Sequence, residues 1–282
     1  MPFVTGPGGA QIAVHDFGGD GPDVLFAHAT GFHGHEWLPV IERLRDRFRC
    51  VAFDERGHGE SPPPPDGDYS WWRFADDAIA VVDALGLDPP FGVGHSCGGA
   101  LLLMAEETRP GTFRSLWCYE AIVFPPAMRP GGTSSPNPLV AGARRRREVF
   151  PSREAAAANY AAKPPFSVLS PEGLAAYVDH GFEDLSDGTV QLRCRGEDEA
   201  RTYEGASPDG AFARLGEVQC PVVLVCGGDS DVLRSETIGL QAAPLRNGRT
   251  EVLDGLTHFG PLQDPDAVAA SVSRALTTAS GG

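Results

Sequence analysis

The chain predicts an α/β fold: a mostly parallel central sheet flanked by helices, interrupted by an inserted helical cap. Three observations carry this. Short apolar runs alternate with helical patterns up to about residue 122 and again after residue 213. A Gly-x-Ser-x-Gly turn, Gly94-His95-Ser96-Cys97-Gly98, stands between one such run and one such helix. Between residues 123 and 213 the alternation stops. Strand, helix, strand alternation is what a parallel sheet covered on both faces requires. A chain of 282 residues is long enough for one such domain with an insertion.

The elements follow in order. Ile12 to Phe17 and Val24 to Ala27 read as strands, and so do Cys50 to Phe53, Phe91 to Gly94 and Leu116 to Glu120. Trp37 to Asp46, Phe74 to Leu85 and Gly99 to Thr108 carry helical spacing between them. Val222 to Cys226 and Thr250 to Leu253 resume the strands, and Pro265 to Leu276 reads as a closing helix. This assigns residues 1–122 and 214–282 to the core and 123–213 to the cap. The cap segment opens with Pro125, Pro126, Pro130, Gly131 and Gly132 and continues with helical stretches at Ala141 to Phe150, Arg153 to Ala162 and Pro171 to His180, with no strand pattern. Pro62 to Pro65 is a short stiff loop, too brief for a recognition tract.

Composition narrows the class. The hydrophobic fraction is 41% and the charged fraction 22%, both ordinary for a globular domain. A net charge of -15 repels nucleic-acid phosphates and anionic membranes, so neither is expected as a partner. The expected partner is a small-molecule substrate, with the chain as monomer or homodimer. No apolar stretch has the roughly 20 residues of a membrane-spanning helix, and the N-terminus lacks a basic and apolar leader. A soluble cytoplasmic protein is the expectation. The six cysteines match no zinc spacing; they read as free, buried thiols that behave as small apolar side chains. No metal and no cofactor is expected.

The chemistry centres on Ser96. In the strand-turn-helix context, small residues at 94 and 98 let the backbone pass closely around a serine exposed at the carboxyl end of a sheet and at a helix N-terminus. His28-Ala29-Thr30-Gly31 follows the strand ending at Ala27 and fits a loop that supplies a backbone N–H to an oxyanion hole. Thr30 is the expected donor, and the amide of Cys97 the second. Next comes Asp54-Glu55-Arg56-Gly57-His58-Gly59-Glu60-Ser61. With this run the sequence resembles the α/β-hydrolase superfamily, which commonly carries D-x-R-G-x-G-x-S here in a scaffold role. By that resemblance Asp54, Arg56 and His58 are structural.

The resemblance extends to the distal half of the chain. The strand Val222 to Cys226 ends in Gly227-Gly228-Asp229-Ser230-Asp231, where Asp231 matches the family's acid. Leu253-Asp254-Gly255-Leu256-Thr257-His258 carries the family's histidine. The order Ser, Asp, His is the one this fold uses. Ser96, Asp231 and His258 are therefore the expected triad. Two other acids compete: Asp229, two residues away, and Glu120, which closes the strand Leu116 to Tyr119 where some relatives carry theirs. Serine rather than aspartate at the elbow excludes the dehalogenase and epoxide-hydrolase chemistries, which need a carboxylate nucleophile.

The remaining candidates are weaker. The cap supplies Phe124, Pro125, Phe150, Tyr160, Phe166 and Tyr177, apolar surface suited to a water-excluding pocket. Phe32, Phe124, Phe166 and Phe259 are the expected substrate-binding residues. His15 and His180 read as surface or packing residues, His33 and His35 as near the entrance, and His95 as packing beside the turn. Arg144 to Arg147 forms a basic run whose four residues wrap a helix, so most are expected in solvent. The resemblance implies a serine hydrolase acting on an ester or lactone of an uncharged, apolar small molecule. A carbon–carbon bond hydrolase or a cofactor-free perhydrolase could use the same triad. A non-catalytic ligand receptor is a further alternative.

Overall fold

A computed structural model of the chain describes residues 3–128, 137–206, 208 and 210–279. The first half forms β1 (Phe3–Thr5), β2 (Gln11–Asp16), β3 (Asp23–Ala27), α1 (Leu38–Ile41), β4 (Arg49–Phe53), α2 (Trp71–Leu85), β5 (Phe91–His95), α3 (Cys97–Thr108) and β6 (Ser115–Tyr119). The inserted segment contains α4 (Pro138–Arg144), β7 (Val149–Phe150), α5 (Arg153–Ala161), α6 (Pro171–Gly181), β8 (Phe182–Asp184), β9 (Val190–Leu192) and α7 (Gly196–Glu204). The sheet then resumes with α8 (Ala211–Arg214), β10 (Val222–Gly227), α9 (Ser235–Ala242), β11 (Gly248–Leu253), α10 (Gly260–Gln263) and α11 (Pro265–Ala279).

The main sheet has the order β1-β2-β4-β3-β5-β6-β10-β11. β1 and β2 pair antiparallel, as do β2 and β4, and every pairing from β4 onward is parallel. Successive strand residues face opposite sides. Leu25, Leu116, Cys118 and Leu224 enter the core under α2 and α3. Val24, Phe26, Trp117 and Val223 enter the other core, with α1 and α11. Both faces are covered, which is why the central strands read as unbroken apolar runs rather than as alternation. All six cysteines are buried and free.

The Asp54–Ser61 loop is braced throughout. Asp54 accepts from His15 Nε2 at 2.9 Å, Gly34 N–H at 2.6 Å and Glu60 N–H at 2.8 Å. Arg56, fully buried, donates through Nε and Nη2 to both oxygens of Asp77 on α2, at 2.7 and 2.8 Å.

Three local expectations are corrected. The helix expected over Trp37 to Asp46 is α-helical only at Leu38–Ile41. The chain turns beyond it, carrying Leu44 and Phe48 into the core and the backbone of Arg47 and Phe48 against Gly21, where no Cβ intervenes. The helix expected to reach Phe150 stops at Arg144, and Val149–Phe150 is a strand. The inserted segment is not purely helical: β7, β9 and β8 form an antiparallel sheet. Strands of two or three residues are too short for alternation to register in the sequence. Pro130, Gly131 and Gly132 lie outside the described residues.

Candidate active site

Strands β5 and β6 run side by side with His95 opposite Tyr119. One residue further along each strand stand Ser96 (φ 56°) and Glu120 (φ 47°), the two non-glycine residues with positive φ among the described residues. Such backbone costs about 1–3 kcal/mol per residue and persists only where the surroundings enforce it. Here the Ser96 N–H donates to Tyr119 O at 2.9 Å, the Ile122 N–H donates to Ser96 O at 3.2 Å, and the Glu120 N–H donates to Val225 O at 2.7 Å. The elbow glycines have a steric reason. A Cβ on Gly94 would lie 2.6 Å from the Gly99 nitrogen, and one on Gly98 would lie 2.6 Å from the His28 carbonyl oxygen.

His258 lies in the loop between β11 and α10. Its Nδ1 is 2.6 Å from Glu120 Oε2. The carboxylate facing His258 is thus Glu120, the alternative acid, and not Asp231. Asp231 and Asp229 are both exposed in the loop after β10. An imidazole has one N–H on that side, and Glu120 takes it. The Asp-Ser-Asp loop contributes its serine instead: Ser230 Oγ donates to Glu120 Oε2 at 2.9 Å, and the Gly227 N–H donates to Oε1 at 3.0 Å. Glu120 is fully buried, and these three donors satisfy its carboxylate. Burial lowers the His258 pKa, against the Glu120 hydrogen bond, which raises it.

The His258 loop is fastened from several sides. Tyr119 Oη donates to Thr257 O at 2.6 Å, and Gln263 Oε1 accepts from Thr257 N–H and Oγ1, both at 2.9 Å. His95 Nε2 lies 2.8 Å from His258 O, and the two rings are 5.0 Å apart between centroids. His258 thus sits beside the elbow that carries Ser96. The residues missed in the sequence, Ser230, Tyr119 and Gln263, act only through neighbours that the fold brings to them.

The loop after β3 is equally constrained. The Gly98 N–H donates to His28 O at 3.0 Å, locking this loop to the elbow. His28 Nε2 accepts from the Glu55 N–H at 2.9 Å, so the ring proton lies on Nδ1 and is donated to Ala29 O at 2.8 Å. Burial pushes the His28 pKa down to about 3, keeping the ring neutral. Thr30 is buried beside Gly31, whose φ is 82°. Cys97 begins α3, so its N–H has no carbonyl partner within the helix.

The inserted segment closes over this loop. Phe32 lies 5.7 Å from Phe166, 6.2 Å from Phe259 and 4.9 Å from Tyr177 between ring centroids. Phe32, Phe166 and Phe259 therefore pack together. Phe124 does not join them and packs with the core cluster of Ala121 and Val123. The basic run also differs from expectation. Arg146 is nearly buried, pairs with Glu199 at 2.7 Å, and reaches Tyr160 and Tyr177. A Cβ on Gly31 would lie 3.3 Å from Arg146 Nη1 and 2.8 Å from Glu199 Oε1, so this ion pair rests on the loop bearing Thr30. His35 and His180 stack at 3.8 Å where α6 meets the core, so His180 is a contact between segments. Among the described residues, no group of three or more His, Cys, Asp or Glu is arranged to hold a metal ion. No described helix is long and apolar enough to cross a membrane.

A strained serine at a strand-to-helix elbow, a carboxylate-bound histidine beside it and a doubly covered parallel sheet define a hydrolase of the α/β class. The chain belongs to the alpha/beta hydrolase family, whose model matches residues 24–271. It is 30% identical to a non-heme haloperoxidase of Rhodococcus erythropolis, over 96% of this chain and 98% of the relative. It is 26% identical to a 2-(acetamidomethylene)succinate hydrolase of Mesorhizobium japonicum, over 86% of this chain and 83% of the relative. The crystal structure of an E-2-(acetamidomethylene)succinate hydrolase superposes with a TM-score of 0.82 at 23% identity, covering 98% of each chain.

Proposed function

We propose that this protein is a serine hydrolase using Ser96, His258 and Glu120, and that it cleaves an ester or lactone of an uncharged small molecule. The observation that carries the reading is the 2.6 Å contact between His258 Nδ1 and Glu120. It supports a proton on Nδ1, and in this reading Nε2 is then free to accept the Ser96 hydroxyl proton. Ser96 Oγ attacks the acyl carbon while His258 takes its proton, and Glu120 stabilises the resulting imidazolium. The N–H groups of Thr30 and Cys97 receive the developing oxyanion, each worth about 3 kcal/mol. Collapse expels the alcohol, which takes the proton from His258. A water activated by the same histidine then releases the acid.

Residues 123–213 serve as the cap in this reading. Phe32, Phe166 and Phe259 supply an apolar wall that suits an uncharged acyl or alcohol group. Arg146 is neutralised by Glu199, so its charge does not call for an anionic substrate. The likeness to a protein named non-heme haloperoxidase favours a second reading of the final step: hydrogen peroxide replaces water on the acyl-enzyme and leaves as a peracid. A fluorophosphonate probe should label Ser96 and leave folded Ser96→Ala unlabelled. A panel of p-nitrophenyl esters and lactones, run with and without peroxide, should show turnover that Ser96→Ala lacks. An unlabelled wild type, or an active Ser96→Ala, rejects the proposal.

A further inference from the structure

Glu36 is fully buried and has no role in the chemistry above. It follows the loop after β3, in a short turn at Gly34–Trp37. Its Oε1 accepts the Ala29 N–H at 3.1 Å and lies 3.4 Å from His95 Nδ1. Its Oε2 and His95 Nδ1 are both buried with no hydrogen-bond partner, so the 3.4 Å approach is a close polar contact and not a formed hydrogen bond. His95 is also fully buried, and its Nε2 lies 2.8 Å from the carbonyl oxygen of His258. Two side chains thus connect the loop carrying Thr30 to the loop carrying His258, passing beside Ser96.

The protonation states follow from donor and acceptor matching. A carbonyl oxygen only accepts, so His95 carries a proton on Nε2. In the neutral ring Nδ1 is then a lone pair facing a carboxyl oxygen. If Glu36 were ionised, two lone pairs would face each other and a buried charge would rest on a single N–H, an arrangement that costs several kcal/mol. A neutral carboxylic acid resolves both conflicts, because its proton can point at Nδ1. Burial acts in the same sense on both groups, raising the Glu36 pKa well above the carboxylate range and lowering that of His95 to about 4.

We propose that Glu36, as a neutral carboxylic acid, is a positioning residue that joins the oxyanion loop at Ala29 to His95, and through His95 to the backbone of His258. The proposal rests on the serine-hydrolase reading for its consequence, since the link holds the two halves of that site in register across Ser96.

The test combines a structural and a kinetic measurement on the full chain. By nitrogen-15 NMR at neutral pH, His95 should be protonated on Nε2 and bare on Nδ1. An imidazolium, or the opposite tautomer, overturns the proposal. By infrared difference spectroscopy, Glu36→Gln should remove a protonated-carboxyl band, and no lost band overturns it. The rate of fluorophosphonate labelling at Ser96 supplies the kinetic arm. Both contacts are made by Oε1, and an amide keeps only one of them at that atom, so Glu36→Gln should label about threefold to tenfold slower than wild type, whereas folded Glu36→Met, which keeps neither, should be on the order of tenfold to a hundredfold slower. A Gln variant as slow as the Met variant, or a Met variant as fast as wild type, overturns the proposal. Should Glu36→Met fail to fold, the tautomer, the infrared band and the Gln rate still decide. A wild type that is not labelled removes the serine-hydrolase reading and the positioning role with it, whereas a labelled wild type with the wrong His95 tautomer removes only the role of Glu36.

Discussion

Glu120 and Ser96 occupy matching positions at the ends of neighbouring strands, each in a left-handed conformation that side chains normally avoid. That shared geometry sets Glu120, on the strand next to the one that carries Ser96, against His258, in place of a carboxylate from the loop after β10. Its consequence is testable residue by residue. Glu120→Gln keeps the shape but loses the charge that fixes the His258 tautomer, so kcat/KM should fall by about 10⁴. Asp231→Asn, in an exposed loop, should leave it unchanged. Steady-state kinetics on an ester accepted by the wild type checks both. A silent Glu120→Gln, or a severe Asp231→Asn, would return the acid role to the loop.

At the level of elements, the inserted segment meets the core through a charged contact as well as an aromatic one. The Arg146–Glu199 pair, which stems from the end of α4 and from α7, rests on Gly31. Breaking a nearly buried pair strands the remaining charge, whereas removing both partners relieves it. Arg146→Met should therefore cost about 3–5 kcal/mol, and the double change Arg146→Met with Glu199→Met should recover most of that. Urea denaturation midpoints of the two variants measure it. A single change costing under about 1 kcal/mol would mean that solvent already screens the pair.

The molecule as a whole buries an unusual set of titratable groups. Seven of its eight histidines are held below their ordinary value, with burial the first cause in each. His28 and His35 fall to about 3 and His33 and His95 to about 4. These rings fold neutral, so below the unfolded value of 6.5 the unfolded chain binds more protons and stability falls as pH falls. Burial raises Glu36, Glu55 and Glu107, the last to about 8. Their contribution is complete below the unfolded value of 4.5 and is lost as pH rises through the raised values. The histidines outnumber the raised acids between the two unfolded values, and above 6.5 the raised acids act with no opposing histidine, joined near pH 9 by the raised cysteines. Stability should therefore peak near pH 6.5, and chemical denaturation across pH 4 to 9 checks this. A midpoint flat from pH 4 to 7, or still rising at pH 9, contradicts it.

Local chain chemistry was enough to mark seven of the eight strands of the main sheet, all but β1, and to single out the elbow glycines, Ser96, His258 and the loop bearing Thr30 as candidates, because each is written in contiguous residues. A Gly-x-Ser-x-Gly turn needs its small residues at fixed offsets, and a doubly buried strand needs an apolar run. Which carboxylate faces His258, the near-burial of Arg146 and the short β7-β9-β8 sheet were decided only by tertiary structure. Glu120 meets His258 across 138 residues, and Arg146 meets Glu199 across 53. Such pairings depend on where strands and loops come to rest, and spacing along the chain carries no record of that.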